Sequence, residues 1–139
     1  MTVAKNQPGM RSSMRRMRAF TLIEVMIVVV IIAIIAAIAF PAYQQHVRKS
    51  HRVDAQGAML DLAQRLERCY TMNNSYQHAD CPTDPETTDR YTITPTFDSA
   101  HEYEITATPE ATGGQTADPC GTMVVDHTGD RTAAVADCW

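Results

Sequence analysis

Ala19–Pro41 reads A-F-T-L-I-E-V-M-I-V-V-V-I-I-A-I-I-A-A-I-A-F-P. From Val25 to Phe40 every residue is apolar, and one carboxylate, Glu24, stands at the front edge of the run. A bilayer core about 30 Å thick is crossed by roughly 20 apolar residues in a helix, and Phe20–Tyr43 meets that length. An ionisable side chain at membrane depth is costly, so Glu24 calls for a partner.

Upstream, residues 1–19 carry Lys5, Arg11, Arg15, Arg16 and Arg18 and no acid. Downstream, residues 54–139 carry fifteen acids against Arg65, Arg68, Arg90 and Arg131. That asymmetry keeps the basic end in the cytoplasm and sends the acidic part across. Residues 1–18, with Pro8, Gly9 and little periodicity, read as a leader, and Met10, Met14 and Met17 each offer an alternative start.

Two processing readings compete. In the ordinary secretory one, Ala37-Ile38-Ala39 is a small-x-small cleavage site and Phe40 becomes the new terminus. In the other, the cut follows Ala19 and the apolar run is kept. Residues 19–24, A-F-T-L-I-E, favour the second, because they resemble the type IV prepilin motif: a small residue, then Phe, Thr, Leu, any residue and Glu, opening an apolar helix. Pro41 matches the kink position of the same family. The resemblance implies cleavage by prepilin peptidase between Ala19 and Phe20 and methylation of the new Phe20 amine. It also implies that Glu24 pairs with the Phe20 amine of a neighbouring subunit during assembly. One departure is Ala19, where the family usually has Gly. The alternative for Glu24 is that it snorkels to the headgroups.

Beyond the run the helix continues. Pro41 removes one backbone donor and is expected to kink the helix rather than end it. A basic patch follows, Arg48-Lys49 and His51-Arg52, suited to anionic headgroups, to acids on a neighbouring subunit, or to solvent alone. Ala55, Ala58, Met59, Leu62, Ala63, Leu66, Cys69 and Tyr70 recur at steps of three and four, the mark of an amphipathic helix. Asn73-Asn74 supplies the stop. Thr21–Met72 would make a helix of roughly 78 Å at 1.5 Å per residue, too long for one small domain, so its front half must be buried in something else.

Ser75–Arg90 reads as a loop with Pro82 and Pro85. The period then changes to two. Strands are expected at Tyr91–Thr94 with Phe97, at Tyr103–Ala107, at Thr122–Val125 and, more weakly, at Thr132–Val135. Asp98–His101 and Asp126–Asp130 read as turns and Gly113-Gly114 as a loop. Short links favour an antiparallel meander. The expected fold is α+β: a long N-terminal helix packed on a four-stranded antiparallel sheet, the type IV pilin fold. Its expected divisions are the leader 1–19, the transmembrane and assembly half-helix 20–43, and a head 44–139.

Aromatic residues make up 6% of the chain, so the core is thin and needs staples. Four cysteines allow three pairings. Pairing nearest neighbours gives Cys69–Cys81 and Cys120–Cys138, structural bonds of an oxidising compartment; neither metal nor redox spacing is present. His46, His51, His78, His101 and His127 are scattered, and no order of residues suggests catalysis, a metal or a cofactor.

The tail carries a second resemblance. Cys120-Gly121-Thr122, a strand, then Thr128-Gly129, a strand, and Cys138-Trp139 is similar to the C-terminus of minor pilins of the PilE-like group, which includes a DNA-uptake receptor pilin. In that group the last cysteine pair frames a variable region, which places Asp126–Arg131 before partners. The resemblance implies a minor pilin, not an enzyme, in the inner membrane before assembly, leader cytoplasmic and head periplasmic, and in the surface pilus afterwards. Its partners would be other pilin subunits, prepilin peptidase and the pilus assembly machinery. DNA is a partner that the acidic head disfavours, although Arg90 and Arg131 could form a local patch. The other readings are a DNA-uptake receptor pilin, a pseudopilin of a type II secretion system, and a plain membrane-anchored or secreted binding protein.

Overall fold

A computed structural model describes residues 20–139; the expected leader, including Ala19, lies outside the described residues. Two compact units divide the chain, one through Ala37 and one from Ile38 to Trp139.

Helix α1 runs Leu22–Asn73 with Pro41 inside it. Thr21 starts it: its hydroxyl accepts the Glu24 N–H at 3.3 Å, filling one of the donors that a helix start leaves orphaned. Asn74 ends it in the left-handed conformation, φ 54°, and its N–H returns to the Tyr70 carbonyl at 2.7 Å. In the first unit every described helical residue is exposed. In the second, Ala55, Met59, Leu62, Leu66 and Cys69 are buried, a stripe at alternating steps of four and three.

That stripe packs with the inner face of a five-stranded sheet. The strands are β1 (Glu86–Thr87), β2 (Tyr91–Ser99), β3 (Glu102–Pro109), β4 (Met123–Asp126) and β5 (Arg131–Ala133). They lie in sequence order, each antiparallel to the next, as short connections demand. Register puts Ile93 opposite Ala107, Ile105 opposite Val125 and Ala107 opposite Met123, all buried. The alternate positions put Thr92 opposite Thr108 and Thr94 opposite Thr106 on the other face.

Five strands replace the four expected. The extra one, β1, falls in Ser75–Arg90, which reads as a loop because two residues show no period. Tertiary contact makes it a strand: Arg65 of α1 grips both Glu86 carboxylate oxygens, at 2.6 and 2.8 Å, while Glu86 and Thr87 pair with Ile93 and Thr92. β2 runs on through Pro95 to Ser99, which narrows the expected Asp98–His101 turn to Ala100-His101. Proline is tolerated there because the pairing of β1 reaches no further than Ile93, leaving β2 as the sheet edge beside Pro95. β5 is shorter than the expected Thr132–Val135: Ala134 donates instead to the Cys120 carbonyl, and Ala136–Cys138 forms a 3-10 turn. Cys69 is bonded to Cys81 and Cys120 to Cys138, with Cα atoms 5.5 and 5.7 Å apart.

Candidate functional site

The first unit is a helix without a cover. Among the described residues its large apolar side chains are all exposed: Phe20 and Leu22 are each 78% exposed, and even the least exposed, Val28, is 49% exposed. The helix is long and apolar enough to cross a membrane. Glu24 stands on this surface, and among the described residues no cation lies within 4.0 Å of its carboxylate. Sequence reading missed a second role here. Thr21-Leu22-Ile23-Glu24 has the Thr-x-x-Glu spacing of a helix-capping box, and the Thr21 half of that box is made. Thr21 is therefore the residue that lets the helix begin beside the expected processing point.

In the second unit the basic segment does not act as one patch. Arg52 leaves it: its guanidinium donates to Asp118 Oδ1 at 3.0 Å, with the arginine side chain 14% and the carboxylate 2% exposed. Asp118 Oδ1 also accepts the Cys120 N–H at 3.1 Å, and Oδ2 accepts from Tyr91 Oη at 3.2 Å and Gln115 Nε2 at 3.1 Å. Arg52 also touches the sulfur of Cys120, and Gln56 donates to the Cys138 carbonyl. A buried, fully hydrogen-bonded clamp thus fastens this stretch of α1 to the Cys120–Cys138 bridge. None of Asp118, Gln115 or Tyr91 could be singled out from sequence, because the clamp's links to Tyr91 and Arg52 span 24 to 68 residues without a motif.

Arg90 and Arg131 do not form a joint patch. Arg90 precedes β2 and Arg131 opens β5, with β3 and β4 between, about 14 Å at the usual strand spacing. Arg131 lies over the Trp139 ring, 5.4 Å from its centroid. At the end of α1, Tyr70 stacks on Tyr76 with centroids 4.5 Å apart, Tyr76 meets Tyr103 edge-on at 4.8 Å, and Tyr70 Oη contacts His101 Nδ1 at 2.9 Å. Burial first, then the hydrogen bond to Glu67, pushes the Tyr76 phenol up to about 12. In the β4–β5 turn the Thr128 hydroxyl, helped by the N–H groups of Asp130 and Thr128, holds the Asp126 carboxyl below its ordinary range. Among the described residues no three His, Cys, Asp or Glu side chains gather as metal ligands.

Comparison with known proteins agrees with this arrangement. A family model described as "Type IV minor pilin ComP, DNA uptake sequence receptor" matches residues 41–124. A model of the prokaryotic N-terminal methylation motif matches residues 14–40. No curated protein matches. Among solved structures, the non-core minor pilin PilV of Neisseria meningitidis aligns with a TM-score of 0.53 at 18% identity, over 67% of this chain and 92% of that one. At that identity the likeness speaks for the fold.

Proposed function

The chain belongs to the ComP family of type IV minor pilins, and from that premise we propose how its residues serve a pilus subunit. Prepilin peptidase cuts between Ala19 and Phe20, and the freed Phe20 amine is methylated; the methylation-motif match over residues 14–40 supports this reading. The uncut protein sits in the inner membrane through residues 20–43, leader inside and head outside. It then leaves the bilayer to pack among the helices of other subunits in the filament.

The observation that carries this reading is the naked first unit. Apolar burial drives such a helix into lipid or among other helices, but the effect is non-directional and sets no axial register. One carboxylate on that surface can. In a medium without water Glu24 needs a cation, and the Phe20 amine of a neighbour has the right charge and depth. Pro41 lets the helix bend where it passes from the packing segment to the head-bearing segment.

The test is fractionation. Filaments sheared from the cell surface are expected to contain peptides of the 44–139 head. Recovery solely from the soluble periplasm would contradict the proposal.

A second reading follows from the family's description, which names a DNA uptake sequence receptor. Phosphate binding is carried by cations, and log affinity falls linearly with log salt in proportion to their number. Here fifteen acids face four arginines over residues 54–139, and Arg65 is already held by Glu86 and Asp61. The filament role is therefore preferred. Titration of the full chain in detergent with duplex DNA at two salt concentrations separates the two: salt-sensitive binding favours reception.

A further inference from the structure

We infer that Arg48 and Arg90, set against the Gly113-Gly114 turn, form a seat for the phosphate of an anionic lipid at the outer surface of the inner membrane. The inference rests on the membrane-anchored stage proposed above.

The first observation is an unmet charge. Among the described residues neither Arg48 nor Arg90 has a carboxylate within 4.0 Å, whereas Arg52 and Arg65 of the same helix do. Arg48 donates to the Ala117 carbonyl at 3.4 Å, a weak bond that neutralises nothing. Both arginines are half-buried in a head crowded with acids.

The second is the turn beneath them. Gly113 and Gly114 have φ of 68° and 74°, a conformation that L side chains rarely adopt. A Cβ on Gly113 would lie 2.6 Å from Arg90 Cζ, so a side chain there would displace the guanidinium. A Cβ on Gly114 would lie 3.9 Å from Arg48 Nη2. Two like charges thus lie against adjoining residues. An anion held by both would make two charge-assisted contacts, and the planar guanidinium suits phosphate. Arg48, Gly113 and Gly114 also line an open cleft of about 180 Å³ together with Tyr43 and His51.

The third is position along the helix. Tyr43 closes the apolar run, and Arg48 follows five residues later, about 7.5 Å along the axis. That is the depth at which headgroup phosphates lie when the run spans the bilayer. The seat would hold the head against the membrane until the subunit is drawn into a filament.

The experiment places the full chain in nanodiscs of phosphatidylcholine alone, or with about 30% phosphatidylglycerol, and measures hydrogen exchange of the Thr112–Ala117 amides. Two cations at an anionic surface predict exchange slowed by about tenfold or more in the anionic discs. Arg48→Gln with Arg90→Gln is expected to abolish the difference, and Arg48→Lys with Arg90→Lys to retain part of it. Gly113→Ala, which displaces Arg90, serves as an independent variant, with Trp139 fluorescence reporting that the head is folded. Equal exchange in the two discs overturns the seat while leaving the anchor intact. Failure to co-elute with either disc overturns the anchor and the seat together. Equal slowing in neutral discs by inorganic phosphate, or by loading a second copy per disc, also overturns the lipid assignment.

Discussion

Replacing Arg52 by alanine removes the one cation that, among the described residues, balances Asp118. The carboxylate is 2% exposed, and its other donors are the Cys120 N–H, Tyr91 and Gln115, all neutral. Stripping a buried ion pair of one member costs about 3–5 kcal/mol, because the survivor stays charged away from water. Three surviving hydrogen bonds soften that loss, so about 3 kcal/mol is expected for Arg52→Ala. The reverse change, Asp118→Asn, is expected to cost less, about 1–2 kcal/mol, because Arg52 is 14% exposed and can reach water. The asymmetry is the signature of burial; a surface pair would lose under about 1 kcal/mol from either side. The double variant Arg52→Ala with Asp118→Asn should cost less than the two single losses combined, with a coupling of about 1.5 kcal/mol or more. Urea unfolding of the full chain in detergent reads these values through Trp139, the only tryptophan, whose indole N–H donates to the Thr132 carbonyl at 3.0 Å. Arg52→Ala losing under about 1 kcal/mol would refute the clamp.

Three further outcomes are expected. Glu24→Gln should leave membrane insertion unchanged and cut incorporation into sheared filaments by about tenfold or more, since the charge sets register and apolar burial supplies the drive. The Tyr76 phenol is pushed up to about 12 from an unfolded value of about 10, so the folded state holds that proton more tightly. Stability is therefore intact below about pH 10 and falls as pH climbs through about 12, and phenolate absorbance should place Tyr76 ionisation with unfolding. Cys69→Ser with Cys81→Ser opens a bridge spanning 12 residues and should cost about 3 kcal/mol in the same urea titration, the size that chain entropy assigns such a loop.

Much of the fold is legible in the sequence because its two periods are strong. The buried stripe Ala55, Met59, Leu62, Leu66 and Cys69 follows the helical period, and Tyr91, Ile93, Tyr103, Ile105, Met123 and Val125 follow the strand period. Pattern fails where structure depends on distant partners. β1 has two residues and exists because Arg65 and β2 hold it. Asp118 and Gln115 look like loop residues in the sequence, yet they are 5% and 1% exposed because Arg52 and Tyr91 come to them. Arg52 itself sits in a run of charge that suits headgroups, a neighbouring subunit's acids or solvent alike, and its burial follows from the packing of the Cys120–Cys138 end. Thr21 is a different case. Its Thr-x-x-Glu spacing signals a helix start, but the same residues form part of the processing motif, and that reading hides the local one.

The central claim is that the apolar front of α1 is kept in the mature protein as the packing surface of a polymer. Mass measurement of the N-terminal peptide from sheared surface filaments tests it most directly. The account predicts a chain beginning at Phe20, one methyl group heavier on its amine. A mature chain beginning at Phe40, with the apolar run removed, would contradict it.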